Sequence, residues 1–205
     1  MPYDVVKRFE AQLCEYTRAK YSVTTNSCTM ALLLAVKWHL KDIVMFTPMD
    51  FLHVSIPKRT YISVPMSIIH AGGCPVFRDV NWIGQYRLEP LPVWDSARTF
   101  TSSMYFEGQM QCVSFHASKI LGDTQGGAIL HDDDEADAWF RRMRFDGRTE
   151  GVAPIKDSFK EIGYHCYMSP DVASRLLLKL YSLPKNNDPL PNDDYPDLDS
   201  LEIFK

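Results

Sequence analysis

The sequence lacks any apolar run long enough to cross a bilayer. Its longest, Met30 to Val36, falls well short of the ~20 residues a spanning helix needs, so no membrane association is expected. The opening Met1-Pro2-Tyr3-Asp4 has no positive segment followed by an apolar one, so no secretory leader is expected either. There is no basic stripe. The net charge is -4, and Arg141, Arg142 and Arg144 stand among acidic neighbours, as on a solvated helix face. Nucleic acid is therefore not an expected partner. Cysteine pairing is also missing. Cys14, Cys28, Cys74, Cys112 and Cys166 are scattered, odd in number and free of Cys-x-x-Cys spacing, and read as reduced thiols of a cytoplasmic protein. His39, His53, His70 and His131 have no ligand spacing. Asp132-Asp133-Asp134-Glu135 lacks the alternation and glycine of a calcium loop. No metal site is expected, and no internal repeat is visible.

What is present suits one well-packed domain. The chain has 205 residues, 45% hydrophobic and 23% charged, as in ordinary globular proteins. Val5, Val6, Phe9, Leu13 and Tyr16 predict an amphipathic helix over residues 4–19. Tyr21–Thr25 reads as a strand, Asn26–Thr29 as a capping turn, and the run from Met30 as a buried helix. Strands are predicted at His53–Ile56, Pro75–Val80, Pro92–Asp95, Gln111–Phe115 and Gly127–His131. Further helices are predicted at Tyr61–Ala71, Asp133–Phe145 and Ser169–Leu183, with Gly72-Gly73 ending the first. The segment from Phe46 to Leu52 has no strong pattern. Residues 1–183 form the expected domain. Residues 184–205 read as a flexible, acidic, Pro/Asp-rich tail docked at its end by Leu201, Ile203 and Phe204. Strands alternating with helices predict a layered α/β domain with a mostly parallel sheet.

Three local patterns could carry chemistry. Asn26-Ser27-Cys28-Thr29 lies between a strand and a helix, where backbone N–H groups and hydroxyls can hold an anion, although an ordinary helix cap looks the same. Asp95, at the end of a buried strand in Val93-Trp94-Asp95-Ser96-Ala97-Arg98, either faces a ligand crevice or caps a helix. Lys119 follows a buried strand in Ser114-Phe115-His116-Ala117-Ser118-Lys119, ahead of Gly126-Gly127. Desolvation there can turn its amine into a nucleophile, whereas most loop lysines are simply solvated.

Taken together, these segments resemble the DegT/StrS family of pyridoxal-phosphate-dependent sugar aminotransferases. Asn26-Ser27-Cys28-Thr29-Met30-Ala31-Leu32 is similar to that family's phosphate loop. Ile56-Pro57-Lys58-Arg59-Thr60-Tyr61 resembles its Pro-x-x-Thr-aromatic segment, and Asp95-Ser96-Ala97-Arg98 its Asp-x-Ala-Gln. Ser114 to Lys119 matches its Ser-Phe-His-x-Thr/Ser-Lys, and Gly163-Tyr164-His165-Cys166-Tyr167-Met168-Ser169 its Gly-Tyr-Asn-x-Arg-Met-Ser. The resemblance implies the large-domain fold of a type I pyridoxal-phosphate transferase, a three-layer α/β sandwich. It also implies pyridoxal 5'-phosphate (PLP) as cofactor. Lys119 would hold the cofactor as a Schiff base and shuttle a proton, and Asp95 would pair with the ring nitrogen. Tyr61 would stack on the ring, Ser27, Cys28, Thr29 and Ser114 would hold the phosphate, and Arg98 would lie near the phenolic oxygen. His165 would reach the phosphate of a neighbouring subunit.

The implied activity is transfer of an amino group, with glutamate the expected donor, to a nucleotide-linked keto-sugar for polysaccharide biosynthesis, by a homodimer. The sequence departs from the pattern at Cys28 (glycine in the family), Arg98 (glutamine) and His165 (asparagine). A strand and two helices are expected to be missing between Leu88-Glu89-Pro90 and Leu91-Pro92-Val93, and the small C-terminal domain is expected to be absent after Leu183. These changes leave a second expectation open, a non-catalytic relative acting as a binding or assembly subunit. Sugar dehydration is a third, against which Lys119 counts, because the dehydratase relatives carry histidine there.

Overall fold

The computed structural model describes residues 3–41, 43, 52–192 and 194–205. Most of the patternless segment from Phe46 to Leu52 lies outside them. Helix α1 (Asp4–Thr17) buries Val6, Phe9 and Leu13 on one face and stops at Arg18, whose φ is 70°. Strand β1 (Tyr21–Thr25) leads to α2 (Cys28–Leu40), which is capped where the Ser27 hydroxyl accepts the Met30 N–H. Residues Ala31 to Val36 are all buried, as expected of a helix that is apolar all round. Then follow β2 (His53–Pro57), α3 (Ser63–Ala71), β3 (Cys74–Arg78), β4 (Tyr86–Arg87), β5 (Val93–Asp95), β6 (Met110–Ser114), β7 (Gly127–His131), α4 (Asp134–Met143) and α5 (Pro170–Ser182). Asp133 caps α4 by accepting the Glu135 and Ala136 N–H groups. Ser169 stands at the N-cap of α5 but makes no capping bond through its side chain.

Burial along the strands sorts the helices into two outer layers. Met110, Cys112 and Ile129 belong to one buried cluster with α2, α3 and α4. Val113, Phe115, Ala128 and Leu130 belong to another with α1 and α5. Both faces of the sheet are thus covered, giving the three-layer sandwich.

The sheet is mixed, which corrects the expectation of a mostly parallel one. Its order is β1-β7-β6-β5-β4. Only β5 and β6 pair in parallel; the β1–β7, β7–β6 and β4–β5 pairs are antiparallel. Connection length accounts for one of these pairs: β4 returns to β5 through a turn too short for a parallel crossover, whereas β7 inserts antiparallel between β1 and β6 after a twelve-residue connection. A second, parallel pair, β2–β3, adjoins this sheet where Ser55 and Glu89 exchange backbone hydrogen bonds of 2.7 and 3.0 Å. The β4–β5 hairpin spans residues 88–92, where the strand and two helices were expected to be missing.

After Leu183 the chain runs back over the body. Asn187 donates to the Phe100 carbonyl, and Leu190 N–H to the Arg98 carbonyl at 2.8 Å. Leu198 is fully buried, and Phe204 packs on Phe77. Leu198, which the sequence reading did not single out, is the main apolar anchor of this segment.

Candidate active site

The topology brings the three sequence patterns to one sheet edge. Because β7 runs opposite to both β1 and β6, and β5 runs with β6, the C-terminal ends of β1, β5 and β6 lie together with the start of β7. That is where layered α/β domains bind ligands. From β1 come Ser27, Cys28 and Thr29 at the start of α2, from β5 Asp95, and from β6 Ser114 and the turn bearing Lys119. Together with Tyr61, Arg98 and the C-terminal Asp194 and Tyr195, they line a cavity of about 320 Å³.

Close packing holds the first pattern in place. A Cβ on Gly127 would lie 2.5 Å from the Cys28 nitrogen and 2.6 Å from the Ser27 carbonyl carbon. Only glycine at the start of β7 lets the turn before α2 approach this closely. Thr29 shares a 2.7 Å hydrogen bond with Ser63, and Asn26 N–H donates to the Cys166 carbonyl. Burial pushes the Cys28 thiol well above its ordinary range, so it stays protonated.

Asp95 is buried, with 4% of its surface exposed. Its carboxylate accepts the Ala97 N–H and the Tyr86 hydroxyl, each at 3.0 Å, and Tyr86 in turn shares a 2.6 Å hydrogen bond with Thr60. Burial raises its pKa, against the lowering effects of those two hydrogen bonds and of Lys119 and Arg98. Lys119 is half-buried, and its amine is shifted the other way, by burial first and then by the Arg98 charge. Among the described residues neither Asp95 nor Lys119 forms an ion pair. The cavity thus holds a buried carboxylate able to take a cationic N–H and an amine biased towards its neutral, nucleophilic form. The start of a helix, where an anion is favoured, completes it. This donor set fits PLP.

Arg98 lines the cavity with its guanidinium held by the C-terminal segment. Its guanidinium donates to the Tyr195 hydroxyl at 2.9 Å, to Asp194 at 2.5 Å and to the Pro191 carbonyl, and it stacks on the Tyr195 ring at 4.5 Å. Tyr195 stacks on Trp82 with centroids 6.2 Å apart and meets Tyr61 at 6.4 Å. His165 is not brought to this cavity. It lies 3.1 Å from Asp146 and packs against Tyr167, with its side chain 72% exposed.

Four residues of the site were not legible in the sequence. Tyr86 reaches Asp95 because the hairpin register sets the two opposite each other. Trp82, Asp194 and Tyr195 meet only through the path of the C-terminal segment. His116, expected beside the lysine turn, does line the cavity and is tied to Ser118 at 3.0 Å.

The sequence matches the DegT/DnrJ/EryC1/StrS aminotransferase family over residues 1–92 and 104–189. Asp95 and Arg98 lie between the two matched stretches, so their assignment rests on geometry. The chain is 40% identical over 76 residues to the spore coat polysaccharide biosynthesis protein SpsC of Bacillus subtilis (strain 168), a stretch covering 37% of this chain and 18% of that protein. Its fold is similar to that of AtS13 from Actinomadura melliaura, with a TM-score of 0.72, 17% identity, and 87% of this chain and 60% of that one covered. It is also similar to DesV from S. venezuelae, solved in complex with a ketimine intermediate, with a TM-score of 0.67, 20% identity, and 87% and 57% covered. The chain thus spans about three fifths of the length of these solved relatives. With its three-layer fold and its lysine, carboxylate and helix-start site at one sheet edge, the chain belongs to the DegT/DnrJ/EryC1/StrS aminotransferase family.

Proposed function

We propose that this protein is a PLP-dependent aminotransferase that moves an amino group, with glutamate as donor, to a nucleotide-linked keto-sugar in polysaccharide biosynthesis, working as a cytoplasmic homodimer. One observation carries this reading: Lys119 and Asp95, neither ion-paired among the described residues, line one cavity with the N-terminus of α2. When bound, PLP supplies an electron sink and a carrier for the amino group. The remaining work falls to the chain. Ser27, Cys28, Thr29 and Ser114 hold the phosphate, through the backbone N–H groups at the start of α2 and through hydroxyls. Asp95 accepts the ring N–H and keeps that nitrogen protonated; the Tyr86 and Ala97 hydrogen bonds aim its carboxylate. Tyr61 covers one ring face. Lys119 would hold the cofactor covalently, and once the incoming amine has displaced it, its freed Nζ would take and return the proton at the carbon that exchanges the amine. His165 serves the neighbouring subunit's site.

Mixing the protein with PLP, reducing with borohydride and mapping the peptides tests this reading. A single adduct on Lys119, absent from Lys119→Ala, is expected. An adduct spread over surface lysines, or none, would refute it. A second reading, a non-catalytic binding subunit, is favoured by Cys28, whose side chain lines the cavity at a position that is glycine in the family pattern. An adduct on Lys119 without turnover on any keto-sugar nucleotide would select it.

A further inference from the structure

The C-terminal segment is built into the site. Two anchors bracket its cavity-facing part. On one side Leu190 N–H donates to the Arg98 carbonyl at 2.8 Å; on the other, Leu198 N–H donates to the Lys58 carbonyl at 2.9 Å. Leu198 is fully buried, and Asp197 bridges to Arg59 and pairs with Lys58 at 2.8 Å. The body is shaped to receive the segment. Gly84, at φ +72°, leaves the space in which a Cβ would come within 2.7 Å of the Pro189 Cβ. Between the anchors, Asn192 donates to the Trp82 carbonyl at 2.8 Å, and Tyr195 packs among Trp82, Tyr61 and Arg98.

Resting on the cofactor reading above, we propose that residues 189–192 and 194–198 form a fixed wall of the site and that Tyr195 and Asp194 are positioning residues. They hold the Arg98 guanidinium where it lines the cavity, ready for an anionic oxygen of the bound ligand. An arginine has a long, mobile side chain, and its fork is useful to a ligand only once oriented. Tyr195 takes its Nε–H, Asp194 and the Pro191 carbonyl take N–H groups from the two terminal nitrogens, and the tyrosine ring supports its face. The guanidinium keeps further N–H groups for the cavity. Its side chain is only 12% exposed, so little water competes for them. The wall also closes the site on the side of Trp82 and Tyr61 within a single chain.

Absorbance titration with PLP, run on Tyr195→Phe and Asp194→Ala in the native chain and again in an Arg98→Gln background, separates the possibilities. In the native background each substitution is expected to weaken binding about fivefold, the effect of one lost hydrogen bond. In the Arg98→Gln background neither should change it. Equal losses in both backgrounds would show that the segment acts without Arg98 and would overturn the positioning role. Tighter binding in either single variant would make the segment an obstructing lid, also overturning it. Amide hydrogen exchange without PLP tests the wall independently: slow exchange at Leu190 and Leu198 is expected, and fast exchange at either would refute it. Slow exchange combined with no adduct on Lys119 would refute the cofactor reading, and with it the role of Arg98, while leaving the wall in place.

Discussion

Replacing Glu10 by Gln should remove an ionic clamp behind the phosphate-binding turn. Glu10 is 4% exposed and Arg144 2%. The Glu10 carboxylate accepts Thr24 N–H at 2.9 Å, the Thr24 hydroxyl at 2.8 Å, Arg144 at 2.5 Å and Arg141 at 2.9 Å. It therefore ties α1 and the C-terminal end of α4, Arg141 in its last turn and Arg144 at its C-cap, to β1 just before the turn at Asn26. Burial by itself pushes this carboxyl up. The charges of Arg144 and Arg141, with hydrogen bonds from Arg141 and Thr24, outweigh it and hold the pKa at about 2, against an ordinary 4.5. That difference corresponds to about 3 kcal/mol of stability. Because the folded value is the lower one, the contribution is fully present above about 4.5 and is lost as the pH falls towards 2. Removing one partner of a buried pair costs about 3–5 kcal/mol, since Arg144 is left under-compensated. Urea unfolding of the native chain and Glu10→Gln at a series of pH values measures both. A gap of about 3–5 kcal/mol near neutrality, narrowing by about 3 kcal/mol into acid, is expected. A gap below about 1 kcal/mol near neutrality, or one that does not narrow, would refute the clamp.

Three further outcomes follow from the same structure. Gly127→Ala would drive a Cβ into the Ser27–Cys28 backbone, displacing the helix start; PLP affinity should fall much more than that for unphosphorylated pyridoxal, and equal losses would contradict a phosphate role for this turn. Asp95→Asn should stabilise the protein without cofactor by about 1 kcal/mol near neutrality, since functional groups are often held at a cost to stability. Burial raises the Asp95 pKa above the ordinary 3.8, so ionisation costs stability as the pH rises past that value, and the gain should vanish in acid while PLP-dependent turnover drops. His131 is fully buried, and neither ring nitrogen has a hydrogen-bond partner among the described residues. Burial holds its pKa at about 4 despite Asp137 at 3.7 Å. The depressed value means stability is whole above about 6.5 and falls by about 3 kcal/mol towards 4. His131→Leu, followed by thermal unfolding, should flatten that decline, and an unchanged slope would refute it.

The local chain determined much of this protein. The apolar run of α2, the amphipathic spacing of α1, the acidic start of α4 and the Pro170 opening of α5 each describe an element that needs no distant partner to be specified. The order of the three motifs carried the family resemblance and pointed to Lys119, Ser27, Cys28, Thr29 and Ser114 before any fold was known. The sheet's mixed direction was not legible, because alternation of strand and helix signals does not encode which strand lies beside which. The pairing of Tyr86 with Asp95 comes from a two-residue strand whose register only the folded hairpin sets. Nor could composition foretell the course of the last residues: Pro, Asn and Asp carry no periodic signal, and their contacts with Trp82, Arg98 and Lys58 join positions far apart in the chain. Local propensity writes helices and motifs into the sequence, whereas pairing, register and the wall over the site arise from long-range packing, which only the tertiary structure decides.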